Sequence, residues 1–287
     1  MQRFIFTDDL EGKNSPGTKT IELLHVLEVK GLNGMPSTIN GSKAYGKDGI
    51  TVSSVTMDAR PFSILFDILG ENFEAAATER RALTSFFGNK KPKRFEYSRD
   101  DFKVYLKDVY PAGVYETGVN EKRILNGTMQ FIATNPYLKR DIPFSSFAFE
   151  TAVLEYFEDG IEFPDTGLEY STAETSITVA NNGDEISPAL IRFHGPANNP
   201  EVINTTTNQK MKVLIEIDSN EYLEVSSETG RVDKIDSENV RHNAFDSISD
   251  DSEFINLAVG ENIFNFNSAG GGTGYLEVGG VEYYAGI

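Results

Sequence analysis

The stretch RILNGTMQFIATNPYLKR, residues 123–140, predicts a half-buried β-strand that ends abruptly. Alternate positions would place one apolar set on a single face, namely Leu125, Met129, Phe131 and Ala133, opposite a more polar face. At Asn135-Pro136 the proline removes a backbone donor and restricts the residue before it, so the chain must leave the sheet. We therefore expect this strand to close one domain, 1–140, and to precede a second.

Charge also changes at this point. The chain has 287 residues and a net charge of −18, but residues 1–140 carry +3 and residues 141–287 carry −21. A surface this acidic repels phosphate, which argues against sequence-specific nucleic-acid binding and against adhesion to anionic membranes. It does suit high solubility, or a passage along which nucleic acid slides without sticking.

The sequence lacks cysteine, and its first residues lack a long apolar run. With no cysteine, the chain can form no disulfide, thiolate metal site or cysteine nucleophile. The opening MQRFIFTDD has too short an apolar run for a signal peptide or spanning helix, so we expect neither.

The first half predicts several strands and a single long helix. Residues 70–88, GENFEAAATERRALTSFFG, have apolar positions at helical spacing, from Phe73 to Phe87, and should cover a sheet. Gly88 is expected to end the helix in a left-handed conformation. His25, inside the apolar run 21–29, is expected to be a packed core residue rather than a ligand.

Three other segments of this half predict surface features. Residues 31–49 contain five glycines among polar residues, which indicates a long loop or a weak hairpin. The basic run 90–94 could bind phosphate, but a solvated turn is the simpler interpretation. Residues 111–122, PAGVYETGVNEK, indicate a protruding hairpin. We expect it to be an arm that reaches a neighbouring subunit through Val114, Tyr115, Glu116 and Val119.

The second half predicts almost only β-structure. Many short β-type runs are separated by Asn, Gly, Asp and Pro, which is typical of an antiparallel sandwich. We expect residues 141–146 to be a linker and 147–287 to be one sandwich domain.

Candidates for chemistry in the second half are weak. The carboxylate pairs Glu155 with Glu158 and Asp250 with Asp251 could serve a glycosidase, but acids are abundant and there is no tryptophan to stack on sugar rings. Calcium could bind at 218–221 or 246–253, although neither has the pattern of a helix-flanked calcium loop. The glycine run 270–274 lacks the lysine and helix of a phosphate-binding loop. His194 and His242 share no recognisable site with a nucleophile. We expect no catalytic residue, cofactor or metal.

Several motifs together resemble the distal tail proteins of long-tailed, siphovirus-type phages and prophages. GTMQFIATNPY at 127–137 is similar to the end of that family's N-terminal domain. VANNG at 179–183 with PALIRFHG at 188–195 resembles the entry into its second domain, and GENIF at 260–264 resembles a later strand of it. The positions that carry the resemblance, all expected to be structural, are Gly127, Met129, Phe131, Asn135, Pro136, Tyr137, Asn182, Gly183, Pro188, Gly195, Gly260 and Asn262.

The resemblance implies a mainly β fold and a virion structural protein that is not an enzyme. The N-terminal belt domain would be a β-sandwich or split barrel with one α-helix and a projecting hairpin, followed by a galectin-like antiparallel β-sandwich. Six copies would form a ring between the tail tube protein and the tail-tip hub or tail-associated lysin protein, with DNA passing through the lumen. Receptor-binding proteins are further expected partners. The expected location is the virion tail tip, after assembly in the host cytoplasm.

Two alternatives stay open at this stage. The second domain could be a lectin-like module that attaches the particle to host carbohydrate, although it has no room for an inserted sugar-binding module. The particle could also be a contractile, bacteriocin-like one or a defective prophage tail, which one chain does not distinguish.

Overall fold

The computed structural model describes residues 2–12, 16–88, 90–120, 123–148, 176–269 and 274–287. Its contacts divide the chain into two compact units. Unit 1 comprises Met1–Arg140 and Tyr283–Ile287, and unit 2 comprises Asp141–Glu282. The last five residues therefore belong to the same unit as the amino-terminal half. Mainly antiparallel β-structure with one α-helix in the described residues confirms the predicted fold class.

Unit 1 is built around one twisted antiparallel sheet and helix α1, Phe73–Phe87. Its strands are β1 Gln2–Thr7, β2 Thr20–Glu22, β3 Val26–Lys30, β4 Ser37–Ser42, β5 Thr51–Met57, β6 Arg60–Leu69, β7 Lys93–Arg99, β8 Phe102–Asn120, β9 Arg123–Ala133 and the start of β10, Leu138–Ala148. Seven of them follow the order β3-β6-β9-β8-β7-β1-β2. The two edge strands of this order, β2 and β3, are separated by only three residues of sequence.

The core of unit 1 is a cluster of phenylalanine rings centred on Phe131 of β9. The Phe131 ring stacks on Phe6 at 4.7 Å and on Phe62 at 5.1 Å, and it also contacts Phe87 at 5.4 Å. Each of these side chains is at most 7% exposed. Since their strands are not neighbours in sequence, the cluster joins β1, β6 and β9 to the helix.

The predicted alternation in residues 123–140 is confirmed for the described side chains. Met129, Phe131 and Ala133 are buried, whereas Gln130 and Ile132 on the other face are exposed. The side chain of Leu125 lies outside the described residues.

Helix α1 lies where it was predicted, but its two ends differ from the prediction. Asn72 caps the first turn, where its side-chain oxygen accepts a 2.9 Å hydrogen bond from the Ala75 N–H. Gly88 has φ −70°, so the predicted left-handed cap was wrong, and its N–H continues the helical pattern to the Thr84 carbonyl. Phe73 was expected to pack on the sheet but is 53% exposed.

Two further local predictions in unit 1 were wrong. The run 21–29 is not one strand, because His25 has φ +54° and an exposed side chain between β2 and β3. The basic run 90–94 is not wholly solvated, since Lys93 and Arg94 lie in β7 and are 0% and 4% exposed. The strand places each of these two side chains either in the core or beneath neighbouring side chains. The positive charge of the run does not predict this burial.

Unit 2 contains two antiparallel sheets with a shared core. Its strands are the remainder of β10, then β11 Ser176–Asn181, β12 Ser187–His194, β13 Ala197–Asn204, β14 Gln209–Lys212, β15 Glu216–Ile217, β16 Tyr222–Ser226, β17 Arg231–Ile235, β18 Arg241–Asn243, β19 Asn256–Leu257, β20 Gly260–Ala269 and β21 Tyr275–Tyr284. A short 3-10 helix spans Phe245–Ser247. One sheet has the order β18-β17-β16-β12-β21 and the other β11-β20-β13-β14.

The two sheets of unit 2 face each other as in a sandwich. The rings of Phe193 on β12 and Phe266 on β20 lie 5.6 Å apart, and both side chains are buried. The expected linker 141–146 lies within β10. The first part of the expected sandwich domain, residues 149–175, lies outside the described residues.

Within the described residues, no helix is long and apolar enough to cross a membrane.

Candidate assembly interface

The hairpin of β4 and β5 differs from every other strand pair of unit 1. Among the described strands it forms a two-stranded sheet of its own, and all of its residues are exposed. Its register places Ile39 opposite Val55 and Gly41 opposite Val52, and the Asp58 N–H closes its base on the Pro36 carbonyl at 3.0 Å. The segment expected to be a long loop or a weak hairpin, residues 31–49, therefore contains β4 and the tip of a hairpin whose strand residues are all exposed.

The two faces of this hairpin differ in polarity. The register, which shifts at an irregularity between Asn40 and Gly41, puts Ile39, Val52, Val55 and Met57 on one face, which we call the hairpin face. These side chains are 42–56% exposed. The opposite face consists of Thr38, Asn40, Ser42, Thr51, Ser54 and Thr56. An isolated two-stranded hairpin is marginally stable in water, so an uncovered apolar face indicates contact with another protein surface.

The tip of the hairpin is basic and aromatic. Tyr45 is fully exposed and stands between Lys43 and Lys47. Neither lysine has an ion-pair partner in the part of the chain that the structure describes. Within the described residues, the tip therefore presents two lysines without ion-pair partners beside one carboxylate, Asp48, and has a net charge of +1.

The predicted arm at 111–122 corresponds to the ends of β8 and β9. Their backbones pair up to Asn120 opposite Arg123, with Glu116 opposite Thr128 and Val119 opposite Ile124. The side chains of Val114, Tyr115, Glu116 and Val119 lie outside the described residues, so their role as contacts stays a prediction.

The remaining residues of the opening stretch have structural positions. Gly127 pairs with Phe66, Met129 with Ile64 and Phe131 with Phe62, all on β6. After the strand, the Asn135 side chain accepts a 3.0 Å hydrogen bond from the Tyr137 N–H and fixes the turn. The Tyr137 ring stacks on Tyr283 at 4.7 Å with an interplanar angle of 7°.

Arg60 is the residue of unit 1 that sequence reasoning missed. Its side chain is fully buried and donates four hydrogen bonds, all to backbone carbonyls. These carbonyls belong to Pro136 at 2.6 Å, Gly31 at 3.3 Å, Leu32 at 3.0 Å and Ala285 at 2.6 Å. Burial lowers the pKa of the guanidinium below its ordinary value. A single arginine in a strand carries no sequence signal for such a role, because its partners are backbone groups far along the chain.

The predicted motif residues at the start of unit 2 form a connected turn. The Asn182 side chain and backbone N–H both donate to the Glu282 carboxylate, at 2.9 and 3.2 Å. The Gly183 N–H donates to the side-chain oxygen of Asn181 at 3.0 Å. Asn181 is fully buried and also donates to the Glu185 and Leu257 carbonyls. The motif thus holds strand ends together with polar groups that are all satisfied.

A second buried polar network surrounds Asn262. Its side-chain oxygen accepts from the Asn204 side chain at 3.1 Å and from the Ala258 N–H at 2.8 Å. Its amide nitrogen donates to the carbonyls of Ala258 and Gly260, at 2.8 and 3.1 Å. Gly260 has φ +95°, a conformation that favours glycine. The motif residues Gly260 and Asn262 therefore shape one tight connection, and Asn204 is the partner that the motif did not reveal.

The other two motif residues lie at the ends of β12. Pro188 is paired with Asn256 on β19. Gly195 packs so tightly that a side chain would collide with the Asp218 carbonyl. Both positions shape the backbone of the sandwich.

An ion-pair network covers the outer face of the β12 sheet. Glu224 accepts hydrogen bonds from Arg192 at 2.9 Å and from Arg241 at 2.8 Å. Burial raises the pKa of Glu224, but the two arginines outweigh it and leave that pKa below its ordinary value. Beside the network, His194 is stacked between Tyr275 and Tyr222, with its Nε2 3.0 Å from Glu277. These side chains are therefore hydrogen-bonded to or stacked on one another.

Among the described residues that were considered for catalysis or calcium binding, the acidic side chains with resolved partners form ion pairs. Glu155 and Glu158 lie outside the described residues. Hydrogen bonds from Lys210 and Ser249 lower the pKa of Asp251 to about 2, so it is an ionised partner of Lys210 rather than a proton donor. Glu221 binds Lys234 at 2.6 Å. Across the described residues, no three His, Asp or Glu side chains cluster closely enough to hold a metal.

Comparison with known protein families identifies both parts of the chain. Residues 18–133 match the phage tail protein RIFT-related domain, and residues 182–277 match the siphovirus-type tail component, C-terminal domain. Found in this order, the two domains define a tail component of siphovirus-type phages. More narrowly, the chain belongs to the distal tail proteins of these phages, which confirms the family resemblance of its motifs. No curated protein sequence matches the chain.

Solved structures share this fold at low sequence identity. The distal tail protein Dit of phage SPP1 matches with a TM-score of 0.63 and 13% identity, over 90% of this chain and 93% of that one. A chain of the phage P2 baseplate, in its activated conformation with calcium, matches with a TM-score of 0.58 and 12% identity over the full length of both. Proteins of this family and fold are structural parts of phage tails.

Proposed function

We propose that the chain forms a hexameric ring at the tail tip, joining the tail tube to the tail-tip hub and enclosing a passage for DNA. The observation that carries the proposal is the hairpin face, an apolar surface that the described chain leaves uncovered. Membership of the distal tail family gives the context in which a neighbouring subunit would cover it.

The charge distribution supports assembly through unit 1. Residues 1–140 have a net charge of +3, so copies packed side by side would repel one another weakly. The strongly acidic part, with −21 in residues 141–287, suits a solvated position away from the ring contacts. A small net charge around the lumen would also let DNA pass without being held.

The proposed partners follow from the same family context. They are the tail tube protein on one side of the ring and the hub or tail-associated lysin protein on the other, with receptor-binding proteins as further partners. We accordingly propose the virion tail tip as its location, assembly in the host cytoplasm, and no enzymatic activity. A lectin function is not advanced, because Tyr222 and Tyr275, the tyrosine rings beside His194 on the outer sheet face, already stack on His194.

Light scattering of the purified chain tests the proposal. The wild-type chain, of 31.8 kDa, should elute as a species of about six times that mass. Deletion of residues 112–120 removes most of the proposed arm and should give monomers. A deletion variant that remains hexameric would show that the arm is not required for the ring. A wild-type chain that stays monomeric at all concentrations would refute the ring.

A further inference from the structure

Unit 1 carries a second exposed apolar surface, separate from the hairpin face. It is a groove of about 150 Å³ between the β2 region, β6 and helix α1. We call it the receiving groove; its lining includes the apolar residues Ile21, Leu24, Ile68 and Leu83 and three acidic residues, Glu22, Asp67 and Glu79. Its floor is buried core, but Leu24 at its rim is 55% exposed.

The surroundings of the receiving groove extend this apolar surface. Leu69 directly follows Ile68 and is 41% exposed, and Phe73 begins the helix that forms one wall and is 53% exposed. Phe73 has the spacing of a core residue yet does not pack in the core of its own chain. A large aromatic side chain left in solvent at the start of this helix is a typical anchor for another surface.

Charges on the two surfaces are complementary. Glu79 lines the receiving groove and, among the described residues, has no ion-pair partner. The hairpin tip offers Lys43 and Lys47, which also lack one within the described chain. An apolar face with a positive tip therefore matches an apolar groove with a negative rim.

Two different surfaces that complement each other predict a particular kind of assembly. A patch that binds itself gives a closed two-fold dimer, whereas a patch that binds a different patch on the next copy gives a ring or a filament. We propose that the hairpin face of one copy seats on the receiving groove of the next copy, with Lys43 and Lys47 near Glu79. This inference rests on the proposed ring and names the contact that closes it.

Matched variants of the full chain test each surface separately. Val52→Thr with Val55→Thr makes the hairpin face polar while keeping β-branched side chains, and Ser54→Thr with Thr56→Ser is the control on the opposite face. Leu24→Glu places a charge in the receiving groove, and Leu214→Glu is its control at an exposed site of unit 2, since Leu214 is 53% exposed. Circular dichroism and thermal unfolding verify that each variant is folded. We expect rings from both controls and monomers from both test variants.

Mixing the two test variants gives the decisive result. The Val52→Thr, Val55→Thr variant keeps an intact receiving groove, and the Leu24→Glu variant keeps an intact hairpin face. An equimolar mixture should therefore form dimers of twice 31.8 kDa and nothing larger. A mixture that stays monomeric would overturn the inference, because the two surfaces would then bind different proteins, such as tube or hub. Rings that persist in either folded test variant would overturn it while leaving the ring proposal intact. A wild-type chain without rings would overturn both.

Discussion

Arg60 donates a 2.6 Å hydrogen bond from its Nη2 to the carbonyl oxygen of Ala285, a residue 225 positions further along the chain. The same guanidinium holds the carbonyl of Pro136, in the turn that ends β9. One buried side chain therefore ties the start of β6, the end of the opening stretch and the last residues of the chain into unit 1.

Replacing Arg60 should destabilise the protein strongly. Arg60→Ala removes a fully buried guanidinium from which four carbonyls accept hydrogen bonds, and each buried group left unsatisfied costs about 1–3 kcal/mol. We expect the free energy of unfolding to fall by about 3 kcal/mol or more, measured from urea unfolding curves. Arg80→Ala, at an exposed position of α1, is the control and should change it by less than about 0.5 kcal/mol. Equal effects of the two variants would contradict the anchoring role.

This arginine illustrates what the sequence could and could not predict. Alternation around Phe131 and the spacing of the helix predicted the sheet face, the helix and the mainly β class, because these depend on local periodicity. The roles of Arg60, Asn204 and Asn181 depend on carbonyls and amides brought together by the fold, and no local pattern encodes them. The predictions for Phe73 and His25 were wrong for the same reason, since each has the local spacing of a core residue but an exposed side chain in the fold.

Lys93 is expected to lower the free energy of unfolding of the protein. Its Nζ is buried without a hydrogen-bond partner in the described structure and lies 4.3 Å from the centre of the Phe86 ring. Burial lowers the pKa of this amine, so the folded chain binds the proton less tightly than the unfolded chain. Lys93→Met should therefore raise the free energy of unfolding at pH 7 by about 1–3 kcal/mol.

The pH dependence of this gain provides a check on its cause. The penalty on wild type is fully present below the folded pKa and is relieved as the pH rises towards the ordinary value of 10.5, so the advantage of Lys93→Met should shrink in that direction. Thermal unfolding between pH 7 and pH 10 measures it, with exposed Lys30→Met as control. A destabilised Lys93→Met variant would show that the amine has a stabilising role.

Glu224 should stabilise unit 2 only above the pH at which carboxylates protonate. Its pKa in the folded chain lies below the ordinary 4.5, so its contribution is present above that pH and is lost as the pH falls through the lowered value. Glu224→Gln should lower the free energy of unfolding by about 1–3 kcal/mol at pH 7. The difference from wild type should narrow below pH 4.5. Glu238→Gln, which is exposed, should have little effect at either pH, and a difference independent of pH would contradict the charged pairing.

Replacing Asn262 by aspartate, which keeps the shape of the side chain but removes its amide N–H donors, should destabilise the protein. In Asn262→Asp, a carboxylate would face the carbonyls of Ala258 and Gly260 that the amide now binds. Because the site is fully buried, we expect a loss of about 3 kcal/mol or more in chemical unfolding. The same substitution at Asn267, exposed on the same strand, serves as control. Similar stability of the two variants would refute the importance of the buried network.

The central claim is that six copies close into a ring through unit 1. Negative-stain electron microscopy of the purified full-length chain tests it most directly, because the averaged images show both the symmetry and the opening. We predict six-fold rings with a central hole and lobes on the outer side. Single particles or two-fold dimers at every protein concentration would contradict the claim.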